Sequence, residues 1–449
     1  MASFFTVGNL LSFFVIFLSI VSYFLVSRLG FGIDNSNPQY GEMTPKLNPN
    51  SLEIIAELNL PPGNVAISNT GRIFFNTHPE YQSLKGFSTS KIMEQLVDEE
   101  GKKQYKSFPD AEFQSKIITC SSMRIDNQNR LWLLDFANMA TKDTPKLFAF
   151  QLKSDSDGED SFLFEYSFPS KIAGFGSLLN DFNVSPDGNY IYIADTSIVA
   201  AVPAIIFFSI RDKTSYRLLN GHQTMYGQSS FLNISGTVLK VGPFGIKLNV
   251  DSIALSRDGK ALYYGALTGK ELLCIDTSYI LSYINAVNNG GDITSSLSAL
   301  EANIHTALDR KPATDGITID DLGNIYMTAI EHSMIAVAKP TKKFFNMIED
   351  ATSESACQVL ELLSSVKNIP LLRWPEMLSF GPDGLYITSS ALHIKFSGGS
   401  TEDNKPYYIT RIPSESLKTI MNMQSGYDEF GDNDGEATLS SRLKTLSGQ

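Results

Sequence analysis

Six copies of one short pattern constrain this chain more than any other feature of it. Each copy has two apolar residues spaced two apart, a tight turn, and then a β-branched or aromatic run. The turns fall at Gly71, Asn129, Gly188, Gly259, Gly323 and Gly384, at intervals of 58, 59, 71, 64 and 61 residues. Ahead of them stand Val65/Ile67, Met123/Ile125, Phe182/Val184, Ile253/Leu255, Ile317/Ile319 and Leu378/Phe380. Period-two alternation puts each pair on one face of a strand. The turn residues tolerate positive φ, so each copy reads as a β-hairpin. A fixed interval of this size marks a repeat architecture. It leaves room for two more strands per unit, with candidates at 146–150, 205–208 and 271–275. Six four-stranded units make an all-β, six-bladed β-propeller. A sandwich wants shorter spacing, and a doubly wound α/β fold wants a helix between successive strands. Closure of the ring is expected from 52–58 pairing with a late strand such as 407–410. The clearest helical pattern is 353–366, where Ala356, Val359, Leu360, Leu362 and Leu363 share a face; it is expected to flank the last blade.

Composition limits what such a propeller does. The chain has 449 residues, 43% hydrophobic and 19% charged, enough to bury a core and too apolar for a disordered polymer. Its 36 Lys+Arg and 48 Asp+Glu leave a net charge of −12 with no basic stripe, which argues against nucleic acid as the main partner. Cys120, Cys274 and Cys357 are too few for a disulfide scaffold and lack zinc spacing. They leave open one disulfide with a free thiol, or three buried thiols. The first 27 residues carry no charged side chain, and 10–26 is almost continuously apolar. That length lies between a signal peptide and an uncleaved anchor. The domain reading is therefore 1–30 signal peptide or signal anchor, 31–46 linker, 47–415 propeller and 416–449 polar tail. Arg28 and Lys46 alone would favour a cytoplasmic body. Weighed against the fold, the expectation is a secreted or membrane-tethered body on the extracellular or lumenal side. Sequons at Asn183 and Asn233 occur at the frequency expected by chance and decide nothing.

The first strand of a propeller blade lies nearest the axis, so its opening residue faces the central funnel. Eight residues before the turns stand Gly63, Ser121, Asn180, Asp251, Asp315 and Glu376. The returning strands bring Thr77, Asp135 and Asp195, then Ala266, Ala329 and Ser390, to the same end. Asn180, Asp251, Asp315, Glu376, Asp135 and Asp195 are therefore predicted to crowd one mouth. Carboxylates so placed repel each other, and Ca²⁺ would offset that with oxygen ligands in a loose geometry. Asn180, Asp251, Asp315 and Glu376 are the candidate metal ligands. A bound ion would polarise an ester or lactone carbonyl, with Asp251 or Glu376 as the candidate catalytic carboxylate. Asp135, Asp195, Glu331 and Trp374 are candidate ligand contacts, Glu331 because it directly follows the fifth hairpin. The same groups also read as a polar lining for an organic ligand, or as caps on strand ends beside a water-filled funnel. His78, His222, His305, His332 and His393 show no metal spacing and read as surface or loop residues. No hydrolase elbow or phosphate loop is present.

An ordered set of short motifs then supports a family resemblance. They are Pro62-Gly63-Asn64-Val65-Ala66, Gly71-Arg72-Ile73-Phe74-Phe75 with His78-Pro79, and Leu131-Trp132-Leu133-Leu134-Asp135. Leu179-Asn180-Asp181-Phe182, Leu219-Asn220-Gly221-His222, Asp315-Gly316-Ile317 and Arg373-Trp374-Pro375-Glu376 follow in order. Together they resemble the major royal jelly/yellow protein family, especially its shorter microbial-type members. The resemblance implies a six-bladed, usually secreted propeller whose insect members bind small organic ligands such as amines or sterols in the central cavity. Some are linked to dopachrome-type tautomerisation. Wider relatives are the gluconolactonase/senescence-marker and paraoxonase-like propellers, Ca²⁺-dependent lactonases, whose ligand set Asn180, Asp251, Asp315 and Glu376 resemble by residue type. Gly63 stands where that set would want a further acid. The leading expectation is a propeller binding a small organic molecule in its funnel. A Ca²⁺-dependent lactonase or esterase and a non-catalytic protein-interaction propeller are the alternatives.

Overall fold

The computed structural model describes residues 43–82, 91–153, 158–228, 231–241, 244–341 and 356–422. The apolar segment 10–26 and the acidic run 429–436 lie outside the described residues. Six four-stranded antiparallel sheets stand in chain order, with inner strands Pro62–Ile67, Cys120–Ile125, Leu179–Val184, Val250–Leu255, Ile317–Ile319 and Pro375–Gly381. We number the sheets blades 1 to 6 in that order. Within a blade the strands follow one another outward, as in blade 1: Pro62–Ile67, Ile73–Thr77, Ile92–Val97 and Lys103–Ser107. Blade 6 takes its outer strand, Glu53–Leu58, from the start of the fold. That strand pairs antiparallel with Tyr407–Pro413, placing Glu57 opposite Tyr408. The expected closure thus ties the two ends of the fold together.

Each blade packs both faces against its neighbours, so its middle strands are apolar at nearly every position. In blade 2, Leu131 and Leu133 face Ala66 and Phe74 of blade 1, while Trp132 and Leu134 face Phe182 and Ile191 of blade 3. Each such side chain, fully buried, contributes about 1.5–3 kcal/mol. The turns adopt the conformations their residues allow: Asn129 sits at φ 56° and Gly188 at φ 72°. Cys274 of blade 4 and Cys357 of blade 5 form a disulfide across the interblade layer, and Cys120 is free and buried. Among the described residues no helix is long and apolar enough to cross a membrane.

Three segments differ from the sequence expectation. The pattern at 353–366 is not a helix over its described part: Leu360–Lys367 is the outer strand of blade 5, pairing Leu363 with Val337 and Glu361 with Lys339. Pairing to an open sheet edge overrode the helical spacing. Blade 4 carries two helices, Thr277–Asn289 and Ile293–Ala302, between its third and fourth strands, capped by Asp276 and Asp292. The first of them is rich in Tyr and β-branched residues, which are weak helix formers. Residues Ser414–Asn422 form a helix that buries Leu417 and Ile420, so the chain beyond 415 begins as packed structure. The longest repeat interval, 71 residues, also has a cause. Between blades 3 and 4 it carries an extra hairpin, Leu232–Ile234 with Thr237–Val241, in a small sheet separate from the blades.

Candidate functional site

The inner strands deliver oxygen-bearing side chains to one end of the axis. Asn180, Asp181, Asp315 and Glu376 line a cavity of about 50 Å³, together with Asn64 and His78. The carboxyls of Asp315 (blade 5) and Glu376 (blade 6) are hydrogen-bonded to each other. Trp374 Nε1 donates to Asp315 Oδ2 at 2.7 Å, and Ser390 Oγ donates to Glu376 Oε1. His78 Nε2 lies 3.4 Å from Glu376 Oε1, while its Nδ1 accepts from the backbone of Glu80. Burial holds that imidazole neutral, lowering its pKa to about 4. Asp251 lies beside this group rather than in the cavity wall. It is buried and accepts from Asn180 Nδ2 and from Thr196 Oγ1, the latter at 3.2 Å.

The electrostatics follow from burial and from like charge. Burial pushes the Asp315 carboxyl up to about 6, against the Trp374 and Glu376 hydrogen bonds that lower it. Glu376 is raised well above the usual carboxylate range by burial and then by the Asp315 charge. Asp251 is raised for the same two reasons. Lys311, fully buried near Asp251, is lowered by burial to about 7. Carboxylates gathered in this way need either shared protons or a cation.

Two neighbouring positions matter as much as the predicted one. The residues seven before the turn, Asn64, Ser122 and Asp181, form a chain across blades 1 to 3. Asn64 Nδ2 donates to Ser122 Oγ at 3.0 Å, and Ser122 Oγ donates to Asp181 Oδ1 at 2.9 Å. Asn180 to Asp251, Ser252 to Thr314 O, Asp315 to Glu376 and Thr388 to Gly63 O complete a polar girdle through all six blades. Below it, Arg124 of blade 2 donates to Asp181 Oδ2 at 2.7 Å, to Phe182 O of blade 3 at 3.1 Å, and to Leu378 O of blade 6 at 3.4 Å. Arg124 therefore spans the axis. It stands between the acidic cavity and a second one of about 190 Å³ at the turn end of the funnel. One feature of the acidic cavity has no partner in the fold: Asn64 Oδ1 is buried and accepts no hydrogen bond.

The family model described as major royal jelly protein matches residues 118–393, from the entry into blade 2 to the second strand of blade 6 and the helix after it. The chain belongs to the major royal jelly protein family. The match begins after blade 1, the blade that supplies Gly63, Asn64 and His78 to this family member's funnel. No curated protein matches the sequence. Among solved structures, a luciferin-regenerating enzyme is 13% identical, covering 80% of this chain and 94% of that one at a TM-score of 0.45. Regucalcin from Agrobacterium tumefaciens is 12% identical, covering 80% and 93% at 0.44. A gluconolactonase from Xanthomonas campestris is 13% identical, covering 80% and 88% at 0.43.

Within this royal jelly family propeller the remaining expected site residues sort differently. Asp135 does not line the funnel. Its carboxylate accepts from the backbone N–H of Ile118, Thr119 and Ala137, bracketing the start of the inner strand. Asp195 does the same in blade 3 with Leu178 and Ser197, and also pairs with the half-buried Arg217 at 2.6 Å. Both are strand-end brackets, because an acid at the close of the second strand meets unpaired donors at the start of the first. Glu331, in the turn Ile330–His332 of blade 5, accepts from the backbone N–H of Asn233 at 2.8 Å and so meets the extra hairpin and not the cavity. Trp374 is buried and reaches the cavity through Asp315. His78 is a correction: read as a loop residue, it lines the cavity. Its place after the second strand of blade 1, inside the His78-Pro79 motif, was the available signal.

The same donors are the ones expected to hold Ca²⁺. Among the described residues no group of three or more His, Cys, Asp or Glu side chains is arranged to hold a metal ion. Asp315 and Glu376 are turned toward each other, Asn180 directs its amide nitrogen to Asp251, and blade 1 contributes Gly63 at the equivalent point. These donors are turned toward one another and not toward one common point.

Proposed function

We propose that this propeller binds a small organic molecule carrying a positively charged amine, seated with its ammonium in the cavity at the funnel mouth. The observation that carries the reading is the acceptor-rich wall. Asp315 and Glu376 line the cavity and, among the described residues, form no ion pair with a Lys or Arg, and the buried Asn64 Oδ1 is left unsatisfied. A buried acceptor without a donor costs about 1–3 kcal/mol, which a ligand N–H would recover. An ammonium supplies three donors and one positive charge, matching that wall in number and sign. Tyr81 and Trp374 stand against His78 and Asp315, buried behind the cavity lining, and would pack on the rest of such a molecule once uncovered. We place the body outside the reducing cytosol, in a secreted or membrane-tethered protein whose residues 10–26 serve export or anchoring. The Cys274–Cys357 disulfide supports that placement.

The test is isothermal titration of the full chain with 2-phenylethylamine, its neutral analogue 2-phenylethanol, and CaCl₂. Saturable binding of the amine alone, lost in Asp315→Asn, supports the reading. Binding of Ca²⁺ with no response to the amine would sink it in favour of the metal alternative.

A further inference from the structure

We infer that the hairpin Leu232–Ile234/Thr237–Val241 is a displaceable plug over the funnel mouth, latched to blade 5 by Glu331. The hairpin leaves the chain between blades 3 and 4 yet packs on the short helical turn Ile330–His332 of blade 5 and on the helix Leu392–Phe396 of blade 6. It therefore crosses the mouth. Leu232, Ile234 and Leu239 are buried in one apolar cluster with Tyr81, Trp374 and Leu392, while Asn233, Val238 and Lys240 face solvent. Two of those partners touch the acidic cavity wall. Trp374 is bonded to Asp315, and the Tyr81 ring stands edge-on to His78 with centroids 6.1 Å apart. The hairpin's aliphatic side chains thus cover the outer side of Trp374 and Tyr81, one residue removed from the cavity lining.

The hairpin is held by side-chain packing and not by strand pairing to a blade. It lies in a three-stranded sheet of its own, not continued into any blade, and its third strand is the two-residue Phe244–Gly245. A hairpin of this size is at best marginally stable without packing. Here the packing is the Leu232/Ile234/Leu239 face, aided by the Asn233 N–H donated to Glu331 Oε1 at 2.8 Å. The cavity beneath has about 50 Å³, room for an ammonium head and little more. Any hydrocarbon body attached to that head must take the place of the hairpin's side chains against Trp374 and Tyr81. The plug and the ligand compete for one apolar wall, so ligand entry and plug displacement are the same event. The ligand side of this inference rests on the proposed amine binding; the displacement of the hairpin does not.

The experiment uses the full chain as wild type, Glu331→Ala and Leu239→Ser. Amide hydrogen exchange across 231–241 and acrylamide quenching of tryptophan fluorescence report the plug; stopped-flow mixing with 2-phenylethylamine reports entry. In both variants exchange at the hairpin is expected to rise at least tenfold while exchange in the inner strands stays as in wild type. Quenching is expected to rise, and the rise is expected to vanish when Trp374→Phe is added. Association and dissociation rates of the amine should both increase at least fivefold. Unchanged hairpin exchange and unchanged quenching in both variants overturn the plug. Faster exchange and greater quenching without any amine binding, even in wild type, leave the plug standing and remove the amine reading instead.

Discussion

The indole N–H of Trp374 is bonded to Asp315 Oδ2 over 2.7 Å, joining the residue that opens blade 6 to the acid that opens blade 5. The bond favours the ionised carboxylate and opposes the burial that raises its pKa to about 6. Trp374→Phe removes the donor and keeps most of the ring. At pH 7.5, where Asp315 is ionised, the variant is expected to lose about 1.5–3 kcal/mol of stability, the usual worth of a hydrogen bond to a charged group. At pH 5 the loss should shrink, because the protonated acid needs that donor less. Urea unfolding at the two pH values checks this.

Asp315 also sets a pH dependence. Its folded pKa of about 6 lies above the ordinary 3.8, so the folded protein holds this proton to higher pH than the unfolded chain does. The group's favourable contribution is full below the ordinary value and is lost as pH rises from about 4 through 6. Binding of an ammonium runs the other way, since it requires the ionised form. Amine affinity is expected to rise by up to tenfold per pH unit below about 6 and to level off above it. Calorimetric titrations at half-unit pH steps measure the profile, and Asp315→Asn should flatten the rise assigned to this group.

The strand-end brackets are expected to matter for stability and not for binding. Asp195→Ala leaves the half-buried Arg217 without its carboxylate and two backbone donors without an acceptor. Each buried donor left without its acceptor costs about 1–3 kcal/mol. Asp135→Ala leaves three backbone donors unpaired and should cost a similar amount. Denaturation midpoints should fall in both, while the amine affinity of the folded fraction stays as in wild type.

The disulfide is expected to lock blades 4 and 5 together. Cys274→Ser or Cys357→Ser opens a bridge that spans a sequence separation of 83 residues. The stability lost should be about 2–4 kcal/mol. Thiol counting under denaturing, non-reducing conditions should find one reactive cysteine in the wild type, the buried Cys120. Three reactive thiols would contradict the bridge.

The sequence made the propeller legible because period-two alternation and turn residues are local signals, repeated often enough to reveal their own interval. The opening positions were legible for the same reason. Asp315, Glu376 and Asn180 do line the cavity, and Asp251 stands next to them. What the repeat could not give was direction. Counting eight residues from the turn ignored the register shifts that five of the six blades make in their inner pair, as between Leu179 and Phe182. Those irregularities bring Asn64, Ser122 and Asp181 inward as well. Arg124 was invisible because its partners sit in blades 3 and 6, far apart in sequence. Asp135 and Asp195 looked like funnel residues only because strand-end brackets and ligand contacts use the same acids. The hairpin over the mouth left a trace in the 71-residue interval, but its docking partners on blades 5 and 6 are tertiary facts.

Titrating the full chain with 2-phenylethylamine at pH 7.5, beside Asp315→Asn and beside CaCl₂, tests the acidic chamber most directly. The expected result is one saturable site for the amine, weakened at least tenfold by Asp315→Asn, with 2-phenylethanol inert. A chain that ignores the amine, yet gains a Ca²⁺-dependent rise in melting temperature that Asp315→Asn removes, would contradict the account.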